Sequence, residues 1–434
     1  MSDYIFMLEN HLSTEQSRAM EQVQAAAVEA NLNLFLTGGA MRDMLAGFRI
    51  RDLDFTMEGT ALKLVKAVAE AAGARIVEVD ELRKSAEMLF PSGVTVQIAM
   101  SRQEKYTRTG AKPQITPATI QEDLRRRDFT CNAIALSLNK ASRGLLLDPM
   151  NGLADIERRE LRLTSSYGFY DDPSRLLRLV RFRVRLGFTV EERTQMQVAN
   201  AREAGVEKLI PARVRMEELK RIGLEDNPGE IVRALDEAGL ATLFSPALTG
   251  PKLNIPGLAK LEKVFHLVPD ELRFRSARVG PFLWALTEKL NAKERQALIK
   301  STEMRKGEAD LWQKLEGRAK KLEKALRSPR LRKPSQVYFL LVDAEPDEIL
   351  FLLYHSPLKP VQERLRNFFN KYLPAVQEIT PEEWATVDSK AGARRAKARA
   401  EFIGNRLDRR PRKPVPPPEP APPIAEPATI HRAR

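Results

Sequence analysis

Residues 34–55 read LFLTGGAMRDMLAGFRIRDLDF. The stretch parses as a short apolar strand, a Gly38-Gly39 turn, a brief helix, and a second strand carrying Asp52 and Asp54. Two positions apart on a strand, the two carboxylates point to the same face. Like charges placed side by side repel unless a cation sits between them, and a hard divalent ion with oxygen ligands, Mg²⁺, fits that role. Gly38 and Gly39 let the backbone turn tightly and approach a ligand, and their N–H groups at a helix start can receive a phosphate. Arg42 offers a fork of donors to the same phosphate. A phosphate cradle followed by a metal-binding pair points to a nucleoside triphosphate site. It is not a P-loop, because G-x-x-x-x-G-K-S/T is absent. The competing reading makes Gly-Gly a plain turn and Asp-Leu-Asp a solvated strand end; the combination GG-x-x-R-D then D-x-D is far more specific than either piece.

The chain has 434 residues, enough for two to four domains, and 43% hydrophobic content suits a soluble globular protein. It contains no apolar run of ~18 residues, so no membrane span is expected, and the opening MSDYIFMLEN does not read as a signal peptide. Cys131 is the only cysteine, which rules out an intrachain disulfide and a cysteine-rich zinc site. These features point to a cytoplasmic protein without a membrane partner. Net charge is +13 and pI about 9.7, a balance that suits a polyanionic partner. The excess of basic residues from Lys390 to Lys413 contributes, but arginines also cluster at 125–127, 158–162 and 175–185 inside apparently folded sequence.

In order, 12–31 reads as a helix capped by Ser13 or Thr14, and 60–73 as a second helix stopped by Gly73. Residues 74–79 and 94–100 read as strands, the latter beside the carboxylate strand. Residues 101–118 read as a long polar loop broken by Gly110, Pro113 and Pro117. In 119–136, TIQEDLRRRDFTCNAIAL, Thr119 caps a turn and Arg126-Arg127-Asp128 precedes an apolar helix. Two readings stand there: the arginines hold a triphosphate while Asp128 accepts from a ribose hydroxyl, or they pair with Glu122 and Asp123. Asn132 offers both donor and acceptor. Residues 145–163 form a strand, an Asp-Pro turn and a short charged helix that close this domain, with Asp148 bonding nearby backbone.

At 171–186, DDPSRLLRLVRFRVRL, a helix starts at Pro173 behind Asp172. Arg175, Arg178 and Arg181 form one stripe, with Leu176, Leu177, Leu179, Val180 and Phe182 turned to the core. No acid interrupts the stripe between Asp172 and Glu191, so three like charges await an anion. From 187 to about 380 the chain is mostly helical. The four histidines are scattered, and the basic run 315–333 offers an RNA-backbone surface or a solvated helix face. The tail 388–434, Pro-rich over 411–428, is expected to be largely disordered.

Together LTGGAMRD with RDLDF, RRDFTCNA, LDPMNGLADI, DDPSRLLRLVRF and PARVRMEEL resemble, in order and spacing, the bacterial class II tRNA nucleotidyltransferase and poly(A) polymerase family, over about residues 30–245. The resemblance implies an α+β fold: a small polymerase-β-like head with a mixed sheet over 1–153, then an all-α neck over 154–250, a body and tail over 251–387 for tRNA binding, and the terminal segment 388–434. It implies that Asp52 and Asp54 hold Mg²⁺, that Gly38, Gly39, Arg42 and Arg127 contact the triphosphate, and Asp128 and Asn132 the ribose side. Asp172 and Arg175 would face the base, with Arg178 and Arg181 completing the pocket. A carboxylate beside a guanidinium matches the hydrogen-bonding edges of cytosine and adenine and leaves uracil and guanine with unpaired groups.

The implied substrates are ATP, CTP and the tRNA 3′ end, and the implied chemistry is Mg²⁺-dependent nucleotidyl transfer with release of pyrophosphate. Asp171 stands where the family motif usually has Glu, and Gln97 where relatives often carry an acid. No His–Asp phosphohydrolase domain is expected. The loop around Arg102, Glu104, Tyr106 and Arg108 resembles the flexible element that lets one pocket take C and then A. It argues against a strict CC-adding enzyme, and a CCA-adding enzyme is the expectation. A-adding, CC-adding and poly(A)-adding activities, and a non-catalytic RNA-binding protein on the same fold, are the alternatives.

Overall fold

The computed structural model describes residues 4–269, 272–388 and 393–409. Helix α1 (Tyr4–His11) precedes α2 (Thr14–Glu29), whose start is closed by a reciprocal pair of bonds between Ser13 and Gln16. Strand β1 (Asn33–Thr37) runs directly into α3 (Gly38–Leu45), followed by β2 (Leu53–Glu58). Helix α4 (Ala61–Ala72) buries Ala61, Leu64, Val65 and Val68, one face at helical spacing, and ends at Gly73 in the left-handed conformation. Then come β3 (Arg75–Asp80), β4 (Ser85–Leu89), β5 (Thr95–Met100), β6 (Arg102–Lys105), β7 (Gln114–Pro117), α5 (Ile120–Arg125), β8 (Ala135–Ser137), β9 (Leu146–Leu147) and α6 (Gly152–Arg158).

Seven of these strands form one sheet in the order β3-β4-β5-β2-β1-β8-β9. Strands β2 and β5 are parallel while every other neighbour pair is antiparallel, so the sheet is mixed. Central β1 (NLFLT) is buried at all but its first residue, whereas β2 (LDFTME) alternates apolar and polar residues, so Asp54 lies on the face opposite Leu53 and Phe55. Their ends set Gly38 beside Asp54.

Beyond the sheet, β10 (Glu160–Leu161), α7 (Gly168–Asp171), α8 (Arg175–Leu186), β11 (Thr189–Val190), α9 (Glu192–Glu203), α10 (Ala212–Gly223), α11 (Pro228–Glu237), α12 (Ile255–Leu267) and α13 (Leu272–Ser276) follow. The architecture is thus a mixed-sheet head followed by helices, as expected. The chain divides into two compact units. The first comprises residues up to 327 with 344–365, and the second 328–343 with the residues from 366 onward. The expected limits at 153 and 250 fall inside the first unit, and that at 387 inside the second. No helix among the described residues is long and apolar enough to cross a membrane.

Three expectations are corrected. The apolar stretch after Arg127-Asp128 is not a helix but a short turn leading into β8, which pairs antiparallel with β1. Residues 101–118 are not a loop: β6 and β7 pair as an antiparallel hairpin, Arg102 opposite Pro117 and Lys105 opposite Gln114. In a two-stranded ribbon both strands are edges, so prolines do not break the ladder. Gly110 supplies the positive φ (71°) between the strands. The terminal segment 388–434 is not uniformly unstructured either. Residues 393–408 form a helix, whose Phe402 ring lies 6.0 Å from that of Trp384 and whose Asp408 accepts from the amide of Ser335 at 3.0 Å. Two of its arginines pair with nearby acids, Arg399 with Asp388 and Arg406 with Glu383. The Pro-rich 411–428 lies outside the described residues. Helix α1 and strand β4 had no counterpart in the sequence reading.

A methyl group at Gly110 would lie 2.7 Å from the Leu209 carbonyl oxygen. Gly110→Ala should therefore undock the hairpin tip and cost about 1–2 kcal/mol in denaturant unfolding, through both the clash and the strained φ.

Candidate active site

The site begins where β1 gives way to α3. The Gly39 amide donates to Asp54 Oδ2 at 3.0 Å. A Cβ on Gly39 would stand 3.0 Å from that same oxygen. One on Gly38, whose φ is +62°, would stand 3.1 Å from an Arg127 nitrogen and 3.4 Å from Asp54. The glycines are there because a carboxylate and a guanidinium close on the turn, and the Gly39 N–H is spent on Asp54 rather than pointing at open solvent. Burial, then the charge of Asp52, pushes the Asp54 carboxyl up to about 6. Asp52, whose side chain is 42% exposed, lies 3.7 Å from Arg275.

Arg127 lies over this turn. It is held by Asp123 at 2.9 Å, by the Thr56 hydroxyl at 3.0 Å and by the Asn132 carbonyl at 3.2 Å. Arg126 is committed to Asp123 and to Glu104 of the hairpin. Both arginines thus pair with Asp123, as the second reading of this segment had it, while Glu122 instead closes the start of α5 on Thr119.

Asp128 is buried and accepts from the Phe129 amide, from Asn132 Nδ2 at 2.9 Å and from Arg178 Nε at 2.8 Å. Burial opposes its charge, but Arg178, Asn132 and Arg175 hold it well below the carboxylate range. The Asn132 oxygen takes Arg42 Nη1 at 2.7 Å, and Arg42 spends its remaining edge on Asp43. Arg42 is only 3% exposed. It therefore orients Asn132 and presents no free fork to solvent.

Helix α8 brings its arginines to different places. Asp172 Oδ1 accepts from the Ser174 amide and hydroxyl and so closes the helix start. Arg175 donates to the Arg126 carbonyl at 2.8 Å, and Arg178 to Asp128. The stripe's missing anions come from other elements. Arg181 is not brought to the site at all: it is buried and paired with Glu218 at 3.2 Å and Glu225 at 3.0 Å. At three-residue spacing on a 3.6-residue helix, each successive arginine rotates off the stripe, and by Arg181 the side chain faces α10. The Phe182 ring sits among the Arg42, Arg178 and Arg181 guanidiniums, at 4.9, 5.7 and 4.6 Å. Sequence reasoning missed Asp43, Arg185 and Glu225 as partners. Arg185 bonds Asp43 at 2.7 Å across 142 residues of chain, a separation no local pattern signals.

Among the described residues no group of three or more His, Cys, Asp or Glu is arranged to hold a metal. The donor set at Asp52 and Asp54 is two carboxylates. Such all-oxygen ligation with room for water and phosphate suits Mg²⁺, which is commonly held by one or two carboxylates plus substrate. Burial, then the neighbouring Asp52, pushes the Asp54 carboxyl upward, and a cation held there would relieve that push.

A glycine turn against paired acids on a mixed sheet, with an arginine-lined helix beside it, defines a nucleotidyltransferase-type head. Residues 34–162 match the poly A polymerase head domain, and the chain is similar to A-adding, CC-adding and multifunctional CCA tRNA nucleotidyltransferases. It is 25% identical over 407 residues to the A-adding tRNA nucleotidyltransferase of Geobacter sulfurreducens, covering 90% of this chain and 45% of that protein. It is 35% identical over 248 residues to the CC-adding tRNA nucleotidyltransferase of Deinococcus radiodurans, covering 57% of this chain and 62% of the relative. The chain spans about half the length of the curated relatives it matches. Its fold is that of a solved CCA-adding enzyme in an apo form, with a TM-score of 0.56 and 23% identity over 95% of this chain and 96% of that one.

Two predictions follow from this geometry. The Asp54 carboxyl, at about 6 against its usual 3.8, favours the protonated form in the fold, so its ionisation costs stability as pH rises from 4 through 6. Asp54→Asn should melt higher than the parent above pH 6, with the gap closing below pH 4, read by thermal scans across pH. Arg181→Met should cost about 3 kcal/mol in urea unfolding, because Glu218 and Glu225 are left buried with a partner missing.

Proposed function

We propose that the chain adds C and A to the 3′ end of tRNA without a nucleic acid template, as a CCA-adding nucleotidyltransferase using CTP and ATP in the cytoplasm. The observation that carries the reading is the Asp52–Asp54 pair held against Gly39. Asp52 and Asp54 would hold Mg²⁺, and the chemistry it would supply there is activation of the RNA 3′-hydroxyl toward the α-phosphate and neutralisation of charge on the departing pyrophosphate. The chain's own residues do the positioning. Arg127, over Gly38, steadies the triphosphate, and Asp123 fixes that guanidinium in place. Asp128 and Asn132 face the ribose, with Arg42 holding the amide of Asn132 in one orientation. Asp172 and Arg175 present an acceptor and a donor to the base, each pinned by the helix start or by the Arg126 carbonyl. Selection then comes from leaving buried groups unpaired when uracil or guanine enters. Arg178 locks Asp128, and Arg181 supports α8 from the far side.

A second reading is an A-adding enzyme, favoured by the name of the relative that aligns over 90% of this chain. The β6–β7 hairpin supports a pocket that serves more than C.

Purified protein with Mg²⁺, labelled CTP or ATP, and tRNAs ending before C, after C and after CC separates these readings. Sequential C, C and A incorporation is expected. Labelling of only the CC-ended tRNA by ATP makes it an A-adding enzyme, and no labelling makes it a binding protein. Asp52→Asn should lower transfer by roughly a thousandfold or more while sparing tRNA binding.

A further inference from the structure

Asp52 carries a contact that lies outside all of the sequence motifs. Arg275 Nη2 stands 3.7 Å from its Oδ2. Arg275 belongs to the short helix α13. Phe274 is fully buried, Arg273 donates to the Ala344 carbonyl at 2.7 Å, and buried Arg278 pairs with Asp226 Oδ1 at 2.7 Å. The other oxygen of Asp226 takes Arg51 at 2.7 Å. Two bridges therefore leave adjacent head residues side by side: Arg51 through Asp226 to Arg278, and Asp52 directly to Arg275.

The two bridges differ in kind. Arg51 is also bonded to Glu225 at 2.8 Å, so the first bridge is a partly buried, multiply bonded anchor. The second is a single longer contact to a carboxylate whose side chain is 42% exposed. Among the described residues Arg275 makes this one ion pair, whereas Arg126, Arg127, Arg178 and Arg181 each make shorter bonds to acids. A lone contact of that length holds weakly. A divalent ion carries twice the charge and reaches both Asp52 and Asp54, so it outcompetes one guanidinium for the shared oxygen.

We propose that Arg275 is a working part of the transfer site: it is the counter-ion that a divalent metal displaces from Asp52, and once displaced it binds a substrate phosphate oxygen. The anchors at Phe274, Arg273 and Arg278 keep the released guanidinium beside the carboxylates. Its planar fork of donors matches a phosphate there, from the incoming triphosphate or from the terminal phosphodiester of the RNA. The proposal rests on the reading of Asp52 and Asp54 as a metal-binding pair.

The test is Mn²⁺ titration of the full chain followed by electron paramagnetic resonance, with ATP and tRNA ending in CC bound at saturating Mn²⁺. Arg275→Gln, which leaves the Asp226 bridge intact and whose folding is checked by thermal melting, should bind Mn²⁺ about threefold tighter than the parent. It should also bind either ATP or tRNA about tenfold more weakly, the affected ligand identifying the phosphate source. Arg275→Lys should restore the Mn²⁺ affinity by keeping the charge. Arg275→Gln with parental Mn²⁺ affinity, or with parental affinity for both ATP and tRNA, overturns the role of Arg275. If Asp52→Asn still loses Mn²⁺ in that case, the carboxylate pair stands without it. Equal Mn²⁺ binding by the parent and Asp52→Asn overturns the pair and Arg275 together.

Discussion

A carboxylate taken out of water must find its charge answered nearby, and Asp128 meets that constraint with Arg178, Asn132 and a backbone amide. The consequences spread outward from it. Arg178 ties α8 to the head. Asn132, turned by Asp128, presents its oxygen to Arg42; Arg42 completes Asp43; Asp43 takes Arg185; and Arg185 leans on Glu225, which also receives Arg181 and Arg51. Burial would raise the Glu225 carboxyl, yet three guanidiniums hold it down to about 2. Arg185, buried among Arg42 and Arg51, is pushed down to about 10.

Such a lattice is an expensive way to gain stability, since apolar side chains of equal volume would serve as well. What it supplies is direction. Each guanidinium offers a planar fork and each carboxylate two oxygens, so few arrangements satisfy all of them, and the start of α8 is held at a defined place. The Phe182 ring, edge-on to Phe129 at 6.0 Å, gives the guanidiniums a common surface to pack on.

The carboxylate pair stands apart from this lattice. Asp54 is pressed between Gly39 and Arg127 and remains hard to ionise, and Asp52 keeps one loose cation. Charges that are settled throughout the surroundings are left unsettled at the two acids, where a metal and a nucleotide would act. A perturbed carboxyl in an otherwise neutralised interior is a common mark of function.

Much of this was legible in the residues. Periodicity exposed α2, α4, α8 and the central strands, because a core-facing stripe or run is a local property of the chain. The Gly-Gly turn and Asp-x-Asp pair located the site for the same reason. The hairpin at 102–117 was not legible, since its pairing depends on α5 and on Leu209 rather than on its own residues. Nor could the chain order reveal that Arg181 and Arg42 serve neighbours while Arg127 faces the turn. Sequence determined which residues carry charge and at what spacing. Only the tertiary structure decided which charges cancel one another and which remain free for chemistry, because pairing is set by distance in space, across separations such as that from Asp52 to Arg275.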